Sequence, residues 1–165
     1  MTAIKMKRNL FIAAIMAAIF SLAACERIDY DLPPGVAKPD KQLTKLFNES
    51  YPDARDIEWE YVGGAWIVSF ETGRGANEVD YKVWYDADGN WLMTKRDYHI
   101  SAVPQTVKDA LSADPEYGSA RVEDNEVEYY KTPSENFYRF DVFHNGREVE
   151  VDVTEEGVVS PARNR

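Results

Sequence analysis

Cysteine occurs once in this chain of 165 residues, and histidine twice. A single thiol cannot close an internal disulfide or build a multi-cysteine zinc site. His99 and His144 have no recognisable triad partner and leave little room for histidine-based metal or proton chemistry. A basic excess is missing as well. Against 29 Asp and Glu there are 19 Lys and Arg, for a formal net charge of −10. Nothing here supplies the basic patch that phosphate-backbone binding requires, so nucleic acid is not an expected partner. There is no Gly-x-Ser-x-Gly elbow, and Gly73-Arg74-Gly75 lacks the Gly-Lys-Ser/Thr of a phosphate loop. It reads as a connection between strands, and Gly63-Gly64 reads as another tight turn. These absences argue against an enzyme, and no catalytic residue, metal ligand or cofactor is assigned. What is present is 44% apolar residues, ordinary for a globular protein.

The N-terminus reads as an export leader. Lys5, Lys7 and Arg8 precede an uncharged apolar run over residues 10–22, 13 residues long and short for a bilayer span. The run ends in Leu22-Ala23-Ala24-Cys25, which resembles a bacterial lipoprotein box. That resemblance implies that residues 1–24 are a removed signal peptide and that Cys25 becomes an acylated first residue. Several acyl chains on one residue exceed the two signals that stable anchoring takes. Removal of residues 1–24 takes three cations and no anions from a net charge of −10, leaving 141 residues at −13. Residues 25–40 carry Pro33, Pro34, Gly35 and Pro39 with Asp29 and Asp31, and read as an acidic, proline-rich tether.

From residue 41 the chain says one thing twice. A helical stripe of Leu43, Leu46, Phe47 and Tyr51 ends at Pro52 and is followed by strand-like runs at residues 57–62, 65–70, 79–85 and 91–96. A second stripe of Val103, Val107, Ala110 and Leu111, opened by Ser101 and Pro104, precedes runs at residues 120–130, 136–143, 147–153 and 158–160. Two hairpins fix registers. Asn145-Gly146 is a two-residue turn whose positions both tolerate positive φ. It pairs Tyr138, Phe140 and Val142 with Val153, Val151 and Val149 on one apolar face. The other face holds Phe143/Glu148, Asp141/Glu150 and Arg139/Asp152. Asp86-Ala87-Asp88-Gly89-Asn90 reads as a turn with Gly89 in the left-handed region. An EF-hand needs Gly at position six and Glu at position twelve, and neither is there. The expected register sets Tyr85 against Trp91 and Val83 against Met93. It leaves Trp84, Leu92, Lys82, Thr94 and Asp80 on the open face.

Tyr51-Pro52-Asp53-Ala54, Ile57-x-Trp59, Trp66-x-Val68-x-Phe70 and Tyr85-Asp86-Ala87-Asp88-Gly89 together resemble the beta-lactamase-inhibitor-like, PepSY-like lipoproteins of Gram-negative envelopes. The resemblance spans about residues 41–160. It implies an α+β fold of two tandem α-β4 repeats, residues 41–98 and 99–165, forming a curved antiparallel sheet with helices on one face. The second half departs from the pattern, with Gly118-Ser119 in place of Asp53-Ala54 and no tryptophan. The expected function is a non-catalytic, lipid-anchored envelope binding module, inhibitor-like in kind and working through its open sheet face. The alternative is a lipoprotein that binds a small molecule or divalent cation. Location is the outer membrane facing the periplasm, or the cell surface.

Two features of the open face go slightly beyond plain solvation. Asp141, Glu148, Glu150 and Asp152 cluster there, and like charges facing across strands destabilise a sheet. The cluster reads first as a solvated acidic surface, with a cation, a basic partner, or relief by Arg139 as the other readings. Trp84 and Leu92 beside Lys82 resemble an interaction hot spot, unless the tether or the other repeat covers them. The expected partner is an envelope protein or peptide carrying positive charge.

Cys25→Ser should abolish acylation and leave an unprocessed or soluble species. Intact-mass analysis of the membrane-extracted protein checks this. A Ser variant that still fractionates with membranes at wild-type mass would overturn the lipoprotein reading.

Overall fold

The structure, a computed structural model, describes residues 38–162. The leader, Cys25 and all of the tether before Lys38 lie outside the described residues. Helix α1 (Lys41–Ser50) starts at Asp40, whose carboxylate accepts the Leu43 N–H at 2.7 Å. That bond satisfies one of the donors every helix start leaves free. The helix ends where the Tyr51 N–H reaches the Phe47 carbonyl, one residue before Pro52. Its buried stripe is narrower than expected. Leu43 and Phe47 are buried, one turn apart, while Leu46 lies on the rim at 45% exposure.

Four strands follow: β1 (Arg55–Val62), β2 (Ala65–Thr72), β3 (Val79–Asp86) and β4 (Trp91–His99). Helix α2 (Gln105–Ala113) comes next, preceded by a 3-10 turn at Ile100–Ala102. Ser101 therefore sits in that turn and does not start the helix; Pro104 holds the N-cap position. The remaining strands are β5 (Arg121–Val122), β6 (Glu126–Lys131), β7 (Asn136–His144), β8 (Arg147–Thr154) and β9 (Val159–Pro161). The expected single run at residues 120–130 is broken. β5 and β6 lie end to end against β7, separated by Glu123 to Asn125, of which Glu123 still donates its N–H to the Asp141 carbonyl of β7.

The nine strands form one open antiparallel sheet in the order β1-β2-β3-β4-β6-β7-β8-β9, with β5 beside β7. β4 pairs with β6 and so joins the two helix-led halves. Register carries one face across the whole sheet. Phe70, Tyr81, Arg96, Tyr129, Tyr138 and Val153 are successive partners. Both helices pack on this side. Leu43 and Phe47 meet Val68, Phe70, Val83 and Tyr85, while Val107 and Leu111 meet Val127, Phe140, Val142, Val151 and Val153. The first cluster is aromatic. Phe47 stands edge-on to Trp59 and Phe70 at 5.4 and 5.0 Å, the offset geometry that ring quadrupoles favour. The second is built mainly from valine.

The Asn145-Gly146 hairpin has the expected register at every pair from His144/Arg147 to Tyr138/Val153. Asn145 and Gly146 hold φ of 50° and 82°, as that turn requires. Gly118 explains the departure of the second half from Asp53-Ala54. A Cβ at this position would fall 2.4 Å from the Ser112 carbonyl oxygen and 2.6 Å from that of Asp114, so only glycine fits. The Asp86 turn forms as read: the Asp86 N–H donates to the Asn90 carbonyl, and the side chain accepts from Asp88 and Asn90.

One residue beyond this turn the expected register fails. A bulge between Trp84 and Tyr85 sets Tyr85 against Trp91 but Trp84 against Met93 and Val83 against Thr94. Leu92 is the extra residue and faces no partner. Thr94 moves from the open face to the helix side, where its hydroxyl takes the Trp91 indole N–H at 2.9 Å. Met93 takes the place on the open face.

Val151 is fully buried and Glu150, its neighbour, is exposed. Val151→Ala should cost about 1–3 kcal/mol, the scale of a buried truncation. Glu150→Ala should be near neutral, since it removes both a clash with Asp141 and a solvent-screened bridge to Arg139. Urea unfolding of the two variants checks the register; equal losses would contradict it.

Candidate functional site

Strand alternation places every second residue opposite the helix-packed face. In the first half this open face carries an apolar strip. Ile67, Trp84 and Met93 are cross-strand neighbours on β2, β3 and β4, all half-buried. Leu92 stands beside them at 41% exposure. Lys82, next but one along β3, faces Lys95 of β4. The sequence places Trp84 and Lys82 correctly. It puts Leu92 opposite Trp84, which the bulge corrects, and it misses Met93 and Ile67. Met93 lies in an unbroken apolar run, Trp91-Leu92-Met93, where no alternation marks the face.

The middle of the open face is a charge network that the sequence reading missed. Lys95 Nζ lies 2.6 Å from Glu128 and 3.4 Å from Asp97. Burial opposes the Lys95 charge, but Glu128 and Asp97 outweigh it and hold its pKa above the ordinary lysine value. Burial likewise raises Asp97, and Lys95 beside it does not fully offset the rise. Burial also works against the Glu128 carboxylate. The bonds from Lys95 and from the Tyr130 hydroxyl, at 2.8 Å, prevail and hold its pKa below the ordinary range. These partners come together only through the β4·β6 pairing, which neither hairpin turn predicts.

In the second half Arg139 holds Asp152 with two bonds of 2.7 and 3.1 Å. This forked geometry is the strong form of the ion pair and permits Asp152 to be 95% buried. Arg139 also reaches Glu150 at 3.4 Å and lies over the Tyr130 ring at 4.9 Å. Tyr130 stacks on the buried Phe137, with ring centroids 4.9 Å apart and planes 8° apart. Of the four acids singled out from the sequence, Asp152 is therefore consumed internally. Asp141, Glu148 and Glu150 remain exposed at the hairpin end of the face. The relief of Asp141 and Glu150 by Arg139 reaches Glu150. Asp141 itself is left with desolvation and the charges of Glu150, Glu128, Asp124 and Glu148, which raise its pKa. Among the described residues, no group of three or more His, Cys, Asp or Glu is placed to hold a metal ion.

The family model described as "Putative beta-lactamase-inhibitor-like, PepSY-like" matches residues 65–160, more than half of the chain, and the chain belongs to that family. The matched region begins at β2 and runs through β8 into β9. No curated protein matches. Among solved structures, a BLIP-like protein from Bacteroides fragilis is similar at 26% identity and a TM-score of 0.65, over 76% of this chain and 86% of that one. A DUF2874 family protein from Bacteroides uniformis shares the fold at 21% identity and a TM-score of 0.62, over 77% and 90%. So does a protein from Bacteroides eggerthii described as a "putative periplasmic" protein, at 20% and 0.60, over 74% and 86%. The family description is that of an inhibitor-like module.

The raised pKa of Asp141 carries a sign. The folded chain holds this proton more tightly than the unfolded chain, so the group's contribution to stability falls as pH rises from about 3.8 through its folded value. It recovers as pH falls again. Asp141→Asn should therefore gain stability relative to wild type as pH is raised through that window. Urea melts at a series of pH values measure the difference, and a gap independent of pH would remove Asp141 as its source.

Proposed function

We propose that this protein is a non-catalytic, lipid-anchored binding module of the Gram-negative envelope that captures a basic protein or peptide on its open sheet face. One observation carries the reading. Trp84, framed by Ile67 and Met93, is the large indole on the face that no helix among the described residues covers, and exposed carboxylates lie along the same face. Large aromatics anchor interfaces when they are surrounded by groups that exclude water, and complementary charge then selects the partner. Asp141, Glu148 and Glu150 supply the selection, and Lys82 sets a local exception beside the anchor. Membership in an inhibitor-like family supports a binding role. Cys25 after Leu22-Ala23-Ala24 supports the anchor, and the periplasmic description of the Bacteroides eggerthii protein agrees with an envelope location. The rival cation-binding reading has less support, because the acids of this face are spread along strands or engaged by Arg139 and Lys95.

Trp84→Ala should shift the melting temperature by no more than about 4 °C, the effect of roughly 1 kcal/mol in a domain of this size. It should weaken capture of the envelope partner at least tenfold, about 1.4 kcal/mol. Pull-down from envelope extract, with the partner identified by mass and then titrated in pure form, measures both. Unfolding of the variant would place Trp84 in the core and end the assignment.

A further inference from the structure

The helix-packed face holds a second feature, independent of the open face. A groove of about 390 Å³ lies between the last turn of α1 and strands β3, β4 and β6. Its walls are the rings of Tyr51, Tyr81, Tyr85, Trp91 and Tyr129. Two cations enter it, Arg96 from β4 and Lys131 from β6. Pairing of Thr94 with Lys131 and of Arg96 with Tyr129 makes the two diagonal neighbours on one face. Among the described residues, no aspartate or glutamate lines the groove.

The state of Arg96 is unusual for this chain. Its guanidinium lies 3.8 Å from the Tyr98 ring centroid, and one terminal nitrogen donates to the Tyr81 hydroxyl at 3.3 Å. Its Nε is buried and makes no hydrogen bond. Among the described residues no carboxylate pairs with it or with Lys131. Glu155 accepts from Tyr129 and Asn136 and reaches neither cation. By contrast Arg55, Lys95 and Arg139 are each held by carboxylates. Among the described residues, every acidic side chain is thus kept out of one aromatic groove that contains a half-buried arginine. Burial of a cation is costly without a counter-charge, and ring faces compensate only in part.

Three properties define what fits. A guanidinium fork matches a carboxylate. Ring walls favour a flat apolar body stacked or edge-on against them. The volume lies at the small end of ligand pockets, room for a molecule of one or two rings. We propose that this groove binds a small planar aromatic carboxylate, with its charge on Arg96 and Lys131 and its ring against Trp91 and the tyrosines. Tyr85, whose pKa is pushed up to about 12 by burial and by Tyr51, stays protonated at neutral pH and adds no competing negative charge.

The test titrates 2-naphthoate into the purified protein, read by calorimetry and by the indole N–H signals of the four tryptophans. Saturable binding should shift the Trp91 signal and leave that of Trp84 in place. The neutral 2-naphthamide should bind at least tenfold more weakly. Arg96→Gln should lose at least tenfold in affinity, and Lys131→Ala, an exposed change that leaves the core intact, several-fold. Trp84→Ala should bind 2-naphthoate as wild type does, which separates this groove from the open face. Equal binding of acid and amide, unchanged affinity in folded Lys131→Ala, or no saturable binding would each overturn the proposal. So would tighter binding of a dipeptide ending in a free phenylalanine carboxylate, which would make the groove a reader of peptide ends.

Discussion

The pairing of β4 with β6 is the contact on which both faces depend. Each half alone is a helix on a small sheet, and each already buries its own cluster. The ladder from Thr94/Lys131 to His99/Glu126 turns two sheets into one and continues the side-chain alternation across the join. On one side it lines up Tyr81, Arg96, Tyr129 and Tyr138. On the other it brings Lys95 to Glu128 and Tyr130. Neither the groove nor the charge network exists within a single half. Between the aromatic cluster under α1 and the valine-rich cluster under α2, the sheet crosses a stretch that neither helix fills, and there polar chemistry enters the helix side.

The open face shows how an acidic sheet avoids repelling itself. Carboxylates directly opposite each other across strands cost energy, and two cations offset part of that cost. Lys95 sits among Asp97 and Glu128, and Arg139 among Asp152 and Glu150. The Arg139 guanidinium also lies over the Tyr130 ring. The arrangement uses arginine where a forked, buried pair is needed and lysine where a point charge between two acids is enough. It leaves the excess negative charge at the hairpin end, far along the strands from Trp84. Trp84 and the excess charge are therefore separated on one surface, and the partner proposed for this face would be extended rather than compact.

Much of this was legible in the sequence, for reasons that differ by element. The β7–β8 hairpin was readable because Asn145-Gly146 admits one tight turn and because a slip by one residue would put valines in water. Leu43 and Phe47 were readable from their spacing, but Leu46 was not, since the same spacing cannot say how wide a stripe the sheet will cover. The bulge at Leu92 was hidden because Trp91, Leu92 and Met93 are all apolar, and a bulge changes register without changing composition. The break between β5 and β6 was hidden for a related reason: Glu123, Asp124 and Asn125 are polar within a strand that is already half polar. The roles of Lys95, Glu128 and Arg96 were out of reach, because β4 and β6 are joined through a 3-10 turn and α2. No turn chemistry fixes that register.

Arg96 and Arg139 set side by side show what distinguishes a structural cation from one that waits for a ligand. Both lie in the middle of the sheet, both rest on tyrosine rings, and both are half-buried. Arg139 has Asp152 as its β7–β8 cross-strand partner and binds it through both prongs of its fork. Arg96 has Tyr81 and Tyr129 as its neighbours, which offer a hydroxyl and ring faces but no negative charge. A glutamate at either neighbour would supply Arg96 with the counter-charge that Asp152 supplies to Arg139. Tyrosines at both positions favour instead a site whose charge is satisfied from outside the chain, and whose walls are already shaped for a flat molecule.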